Sequence, residues 1–354
     1  MKGFIDTFNY EVKHIARNRI QIASLFIFPI VALLFFVCYF NSRAIDNLPI
    51  VIVDNNKSSL SAKLVEMIDA TASIKVLYSA DSSDEAEAFI RAGKAYAALI
   101  IPATFEQSIL RNEQAVVVLG NSGTNISTNG FIEKDLESVI ASFSAGVELQ
   151  SGRDMAQIMP VRFTKHILFN PYLDYAYYLA PCFMPMMIMI FTVLSTIITI
   201  SEHKIGGSQE FIAKILPTTL IMWLFAVVML LLLFRVIEVP LRGSAGMIVV
   251  ATLLLVVAYQ AVAVFFMGVT RSSHLALSLG GGYSVLAFTL SGLTFPTTAM
   301  FPIFRFASYL FPFTYYMEIM IDQSLRGAGV EVSIPKVGYM LLFLILPLFI
   351  YKRL

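Results

Sequence analysis

The distribution of apolar residues divides the chain into two kinds of sequence. One apolar run, 20–40, is followed by residues 41–174, which have the mixed polar and apolar pattern of a water-soluble α/β domain. From about residue 175 to the end, the chain is almost continuously apolar. A helix needs about 20 apolar residues to cross roughly 30 Å of hydrocarbon. The pattern therefore predicts an α-helical membrane protein with an α/β domain inserted between its first and second transmembrane helices.

Composition supports this class. Hydrophobic residues make up 57% of the chain and charged residues 14%, against about 25% charged residues in an ordinary soluble protein. The net charge of +1 gives no indication of a nucleic-acid partner. Cys38 and Cys182 both fall in predicted spans, where we expect small packing residues rather than a disulfide or a metal pair.

Six segments are predicted to be transmembrane helices: 20–40, 177–200, 218–238, 245–269, 275–293 and 335–351. Basic residues in short loops mark the cytoplasmic side of a membrane protein. With six spans, Arg242 stands almost alone on one side, and the following basic loop residues fall on the other: Lys13, Arg17, Arg19, Lys204, Lys214, Arg271, Lys352 and Arg353. We therefore predict that both termini are cytoplasmic and that the α/β domain lies outside the cytoplasm.

The predicted domain boundaries follow from these spans. Residues 1–19 form a cytoplasmic amphipathic helix, 20–40 the first span, 41–174 the external domain, and 175–354 the remaining five spans. Within the external domain, strands are predicted at 49–54, 74–78, 96–101 and 115–119. Helices are predicted at 58–70, 84–92, 104–111 and 128–157. Strands that alternate with helices predict a mixed or parallel sheet covered by helices.

Known catalytic motifs are absent from the sequence. The chain has no phosphate-binding loop, no zinc-binding H-E-x-x-H and no nucleophile elbow. The predicted spans carry almost no charge, whereas proton- and ion-coupled transporters usually hold ionisable groups near the middle of the membrane. We therefore predict no catalytic site on this chain, and any energy for transport would come from another subunit.

The loop 201–217, between the second and third spans, is too polar to cross the membrane. Gly206 and Gly207 interrupt the preceding helix. Ser208 is predicted to cap a short amphipathic helix, with Glu210 in its first turn, and Pro217 to end it. Such a helix either lies on lipid or docks in a groove of a partner.

This loop resembles the signature that joins the second and third spans of ABC-2 type exporter permeases. Gly207-Ser208-Gln209-Glu210 and the later proline are similar to that signature, with Ser208 in place of the family threonine. In that family the helix seats in the ATP-binding subunit. The resemblance thus implies that the following residues couple this chain to an ATPase: Glu202, Gly207, Ser208, Glu210, Phe211 and Pro217.

A second and longer resemblance to the same family lies between the predicted fifth and sixth spans. The segment 294–330 is too polar and rich in proline to span, which predicts re-entrant or interfacial helices. The residues that carry the resemblance, together with Glu318, form the predicted exit segment: Gly292, Phe295, Pro296, Pro312, Tyr315, Glu318 and Gly327. Glu318 and Asp322 are four residues apart on one helix face, which faces either the exit path or water.

The family resemblance implies an assembly. It implies an ABC ATPase subunit that binds ATP and Mg²⁺, a second permease subunit, and a multi-pass protein of the bacterial inner membrane. This chain itself would hold no cofactor. An external domain in this position resembles the drug-efflux-like branch, whose members often work with a periplasmic adaptor. The substrate would then be a drug or another hydrophobic compound.

Two other classes of function remain as alternatives. A sensor or scaffold would bind a ligand through the external α/β domain, but it would need a cytoplasmic effector domain that the short cytoplasmic segments do not provide. An intramembrane hydrolase would need a nucleophile and a base within the spans. The nearest candidate, Ser272-Ser273-His274, lies at the end of a loop.

Overall fold

The computed structural model describes residues 2–41, 47–111, 113–121, 126–151, 174–201, 207–293 and 296–350. The chain divides into two compact units. The first, which we call the membrane unit, comprises Met1–Arg43 and Ile167–Leu354, and the second, the α/β unit, comprises Ala44–His166.

The chain begins with two helical segments of different character. Helix α1 (Lys2–Ile15) ends earlier than the predicted amphipathic helix. Asn18 then adopts an extended conformation, and its side chain accepts a hydrogen bond from the backbone N–H of Ile20 at 2.9 Å. This cap starts a second helix, built from α2 (Arg19–Ile22), a π-helical turn (Ala23–Ile27) and α3 (Phe28–Asn41). The first span predicted at 20–40 is therefore observed as a continuous apolar helix.

The α/β unit contains one four-stranded mixed sheet. Its strands are β1 (Leu48–Asp54), β2 (Ile74–Ser79), β3 (Ala97–Ile101) and β4 (Val118–Asn121). The order is β2-β1-β3-β4, with β1 parallel to both neighbours and β4 antiparallel to β3. Its helices are α4 (Ser59–Asp69), α5 (Ser83–Arg91), α6 (Phe105–Leu110) and α7 (Ile126–Ser151).

Strand β1 lies at the centre of this unit because it is apolar on both faces. Ile50 and Ile52 pack into a cluster with α4, α6 and α7, whereas Val51 and Val53 pack towards α5 on the other face. A strand that is covered on both faces reads as a continuous apolar run rather than as an alternating one. The apolar run 49–54, which predicts a strand, therefore fills the centre of a sheet with helices on both faces.

The membrane unit continues with long apolar helices. They are α8 (Tyr175–Ser201), α9 (Ser208–Arg235), α10 (Ala245–Thr270) and α11 (Ser273–Thr289). Two short helices, α12 (Pro302–Ser308) and α13 (Pro312–Ile321), precede α14 (Val330–Leu342), which continues as a 3-10 helix over Phe343–Phe349. α8 packs against α3, α9, α10 and α11. In the apolar stretch of α10, 67% of the residues are buried inside the protein, compared with 11% in the apolar stretch of the span that begins with α14. α10 is therefore central and α14 is peripheral.

The count of spans differs from the prediction. Within the described residues, five helices are long and apolar enough to cross a membrane, which makes the chain an α-helical, multi-pass membrane protein. The predicted fifth span, 275–293, corresponds to α11, which has 17 residues and is about 25 Å long. It ends at Thr289 because the chain then turns through Gly292, whose φ of +90° no helix accommodates.

The structure also corrects two expectations about the loop 201–217. Pro217 does not end a short helix, because it lies buried inside α9, which runs unbroken from Ser208 to Arg235. A proline removes one backbone hydrogen bond, and the packing of α9 against α1, α8 and α10 compensates for that loss. Ser208 is not the N-cap either. That position belongs to Gly207, which is extended at φ −176°, so Ser208 is the first helical residue.

Candidate functional site

The predicted coupling residues lie at the start of α9, which packs against α1. Glu210 is in the first turn of α9, where its negative charge is favourable at the positive end of the helix dipole. Glu210 and Phe211 are half-buried, and the neighbouring Ile212 is exposed. Glu202 and the side chain of Ser208 lie outside the described residues. What the structure places together in the first turns of α9 is therefore one acidic and two apolar side chains, on a helix that packs against α1.

Two buried charges lie on the packed pair α1 and α9. Glu11 of α1 is 2% exposed and Lys214 of α9 is 5% exposed. Charged side chains are almost never so buried unless they are paired. No sequence pattern predicted the burial of Glu11, and Lys214 was interpreted only as a basic residue of a cytoplasmic loop. Their burial shows that α1 belongs to the folded membrane unit and is not a free amphipathic helix.

The segment after α11 forms two short helices with similar beginnings. Pro302 and Pro312 are the first residues of α12 and α13, where a missing N–H costs nothing. With 7 and 10 residues, these helices are about 10 and 15 Å long and cannot span a bilayer. Tyr315 donates a hydrogen bond to the backbone carbonyl of Tyr309 at 3.0 Å. Phe295 lies outside the described residues, and Pro296 precedes a 3-10 turn at Thr297–Ala299.

An ionic cluster joins α13 to α14. Asp322, whose side chain is 3% exposed, pairs with Arg326 at 2.9 Å and with Lys336 of α14. Glu318 also pairs with Lys336, at 3.5 Å. Both carboxylates are thus bound to one lysine of the last helix; the side chain of Asp322 is buried, whereas that of Glu318 is 37% exposed. Nothing in the sequence predicted Lys336 as the partner of these carboxylates, because it lies 14 residues after Asp322.

Next to this cluster, Gln323 connects the beginnings of two membrane helices. Its side-chain oxygen accepts a hydrogen bond from the Ser244 N–H, next to α10, at 2.8 Å. Its amide nitrogen donates to Ser333 Oγ of α14 at 2.9 Å and to the Ala328 carbonyl at 3.2 Å. The backbone adds a hydrogen bond from Gly243 N–H to the Gln323 carbonyl at 2.7 Å. We call this set the Gln323 contact.

Two glycines allow the close approach in the Gln323 contact. A side chain at Gly243 would place its Cβ 3.0 Å from both Cα and the carbonyl oxygen of Gln323. Gly327 has a φ of +65° and ends the π-helical turn Asp322–Arg326. A Cβ at Gly327 would lie 3.1 Å from Cβ of Arg242. The family glycine predicted at 327 therefore has a physical role: it reverses the chain against the loop before α10.

Hydroxyl and amide groups link α8, α9 and α10 inside the bundle. Thr199 and Thr218 are 3.2 Å apart through their hydroxyl oxygens, and Thr219 donates to Gln260 Oε1 at 2.8 Å. Hydrogen bonds of this kind hold membrane helices together where water is absent. These four residues were not predicted, because the predictions for the spans considered only charged side chains.

The described residues contain no group of three or more His, Cys, Asp or Glu side chains that could hold a metal ion. Cys182 is buried in α8 and Cys38 is exposed on α3, and both are free thiols. The candidate site is therefore a set of mechanical contacts at the two ends of a helical bundle.

Comparison with known proteins identifies the class. The model of a family described as "ABC-2 family transporter protein" matches residues 19–351. The chain therefore belongs to the ABC-2 transporter family, and the resemblance seen in its loops is confirmed. Members of this family normally work with an ABC ATPase.

Curated relatives agree with this assignment. The chain is 26% identical over 317 residues to the inner membrane transport permease YhhJ of Escherichia coli (strain K12), which covers 81% of this chain and 79% of the relative. The protein of the same name from Shigella flexneri matches to the same extent. No solved structure matches the chain.

Proposed function

We propose that this chain is the permease subunit of an ATP-driven ABC-2 type exporter. Membership of the family supports transport. Glu210, Phe211 and Ile212, in the first turns of a helix that packs against α1, support coupling to an ATPase, because they offer a surface on which a motor subunit can act. A separate ATPase subunit would bind ATP and Mg²⁺, and a second permease subunit would complete the pathway.

The proposed topology has six spans, with α11 as the fifth. α11 is shorter than its neighbours, but it packs against α8, α10 and α13 within the bundle. Gly280 of α11 lies so close to α8 that a Cβ there would contact Val193, an approach typical of transmembrane helix pairs. Six spans place both termini and the start of α9 in the cytoplasm, and the α/β unit outside it.

The direction of transport and the substrate complete the proposal. The substrate would leave the cytoplasm or the inner leaflet, and a drug or another hydrophobic compound is the class that the drug-efflux-like resemblance supports. The name of the relative supports the inner membrane as the location. The α/β unit would extend the exit path or recruit a periplasmic adaptor.

Charge reversal at the start of α9 tests the coupling. We expect Glu210→Lys to weaken retention of the ATPase subunit on the tagged permease by about tenfold or more, because like charges or a lost pair at an interface cost over 1.4 kcal/mol. The measurement is the amount of ABC ATPase that co-purifies from membranes, together with its ATP hydrolysis. Glu133→Lys, on the exposed face of α7, is the matched control. Recovery of no ATPase subunit with the unchanged protein would contradict the proposal, as would full retention and activity in Glu210→Lys.

Cysteine labelling tests the topology. In a background with Cys38 and Cys182 replaced by serine, single cysteines are introduced at Glu87, Gln209 and Glu331, which is exposed at the start of α14. An impermeant maleimide added to spheroplasts should label positions 87 and 331 and spare position 209. If α11 did not cross the membrane, the start of α14 would face the cytoplasm, and position 331 would be labelled only after the membrane is opened.

A further inference from the structure

The sheet of the α/β unit has two edge strands, and they differ in how they are protected. β2 and β4 lie at the two ends of the order β2-β1-β3-β4. An edge strand presents backbone N–H and C=O groups that can pair with another strand. Native proteins usually block such an edge with charged side chains, with an irregular register or with a covering element.

Strand β2 carries several of these protective features. Its pairing with β1 is irregular, because the register shifts between Ile50 and Val51. The Asp69 carboxylate of α4 accepts the backbone N–H of Val76 at 2.9 Å, so a donor of this strand is already occupied. Lys75 adds a charge to the strand and lies 3.5 Å from Asp69. β2 is therefore a poor template for a further strand.

Strand β4 lacks such protection in the part of the chain that is described. The stretch 114–121, which includes β4, contains no charged residue and no proline. Three consecutive valines lie within it, and β-branched residues favour extended structure. In the described sheet, β4 is hydrogen-bonded only to β3. An uncharged, β-branched run at an open edge favours pairing with another strand.

The side chains of this stretch have one buried and one exposed face. Ala115, Val117 and Leu119 pack against the core between the sheet and the helices α4, α6 and α7. Val116 and Val118 point the other way and are 60% and 53% exposed. This alternation is typical of an extended strand. The two exposed valines are therefore available to side chains of a strand that pairs with β4.

The lack of charge favours a second copy of this chain as that strand. In an antiparallel pair of identical strands related by a two-fold axis, residues near the axis face themselves or close equivalents. Any charge there would lie opposite a like charge, which destabilises the pair. The stretch 114–121 avoids this repulsion along its whole length.

We propose that β4 pairs antiparallel with β4 of a second copy, so that the sheets of two α/β units become continuous. The inference rests on the proposed function in one respect, because the second permease subunit would be another copy of this chain. Two copies held together by their membrane units raise the effective concentration of the α/β units for each other. A contact of a few residues is then sufficient.

Cross-linking of the full-length protein tests this pairing. In the background with Cys38 and Cys182 replaced by serine, single cysteines are placed at Val116 and Val118. Leu77, which is 53% exposed on the protected edge strand β2, is the matched control position. Two copies with different tags are expressed together and treated in membranes with a short, membrane-permeant bis-maleimide. We expect cross-links between the tagged copies at positions 116 and 118, and none at position 77.

A charge exchange identifies the partner of β4. With the cysteine at position 116, Val118→Lys in both copies should lower the cross-linked fraction at least about fivefold, because like charges then face each other. Val118→Lys in one copy and Val118→Glu in the other should restore it. This rescue requires that both strands belong to this chain, so it distinguishes a second copy from another protein.

The possible failures of the test are distinct. Tagged copies that co-purify without cross-links at 116 and 118 would overturn the pairing of β4 and leave the second permease subunit in place. Cross-links to a polypeptide of different mass, without charge rescue, would overturn it in favour of a strand from another protein. Cross-links between copies that retain no ATPase would support the pairing and contradict the exporter function. The two exposed positions report independently, so one misfolded variant does not prevent a decision.

Discussion

Replacing Asp322 with alanine is expected to lower the free energy of unfolding of the membrane unit by about 3 kcal/mol, because it leaves Lys336 largely buried without its closest counter-charge. The side chain of Lys336 is only 18% exposed, and the half-exposed Glu318, at 3.5 Å, replaces the lost partner in part. The measurement is heat- or SDS-induced unfolding of the purified protein in detergent. α13 and α14 should separate first.

Two further variants separate the ion pair from simple loss of packing. Glu318→Gln should cost less than about 1 kcal/mol, since the carboxylate of Glu318 is partly exposed and water screens its charge. A double variant, Asp322→Leu with Lys336→Met, should recover most of the stability lost in Asp322→Ala, because a buried pair can be exchanged for apolar side chains of similar volume. Equal instability of the double and single variants would show that the charges are not the cause.

Gln323→Leu is expected to be similarly damaging, with a loss of about 3 kcal/mol or more. Leucine fills a similar volume, but it leaves the Ser244 N–H, the Ala328 carbonyl and the Ser333 hydroxyl without the bonds that Gln323 makes. Each buried group without a partner costs about 1–3 kcal/mol. The same unfolding assay measures this loss.

The control for Gln323→Leu is Gln107→Leu, because Gln107 is exposed on α6. This control should change the free energy of unfolding by no more than about 0.5 kcal/mol. Gln323→Glu is a more selective variant. It keeps the acceptor for the Ser244 N–H but loses the donor to Ala328, so it should lie between the wild type and Gln323→Leu. If Gln323→Leu unfolded like the wild type, the contact between the loop before α10 and the turn after α13 would rest on its backbone hydrogen bonds alone.

Much of the α/β unit could be predicted from local patterns. The strand predicted at 74–78 is observed at Ile74–Ser79, and the helix predicted at 84–92 at Ser83–Arg91, with Ser82 capping it and two acids in its first turn. Apolar runs and caps involve neighbours within a few residues, so the sequence displays them directly. Strand β4 was predicted at 115–119 but is observed at Val118–Asn121, because its position depends on pairing with β3 and not on its own composition.

The contacts of the candidate site were less predictable. Motif order pointed to Gly327 and helical spacing to Glu318, but their partners Arg242 and Lys336 lie far along the chain, and only the folded bundle brings them close. Pro217 misled the prediction of the helix end because a proline breaks an isolated helix more readily than one packed among α1, α8 and α10. Residues 202–206, which include Glu202, lie outside the described part of the chain.

The unbroken path of α9 has a consequence for how its two ends communicate. The helix has 28 residues and is about 42 Å long. Glu210 lies in its first turn and Arg235 is its last residue; non-helical chain, residues 236–242, then leads to Gly243, which is hydrogen-bonded to Gln323. A rigid helix transmits an axial displacement along its length, whereas a hinge at Pro217 would absorb it. A push of about one ångström at Glu210 would therefore reach Arg235, at the opposite end of α9, as a shift of about the same size.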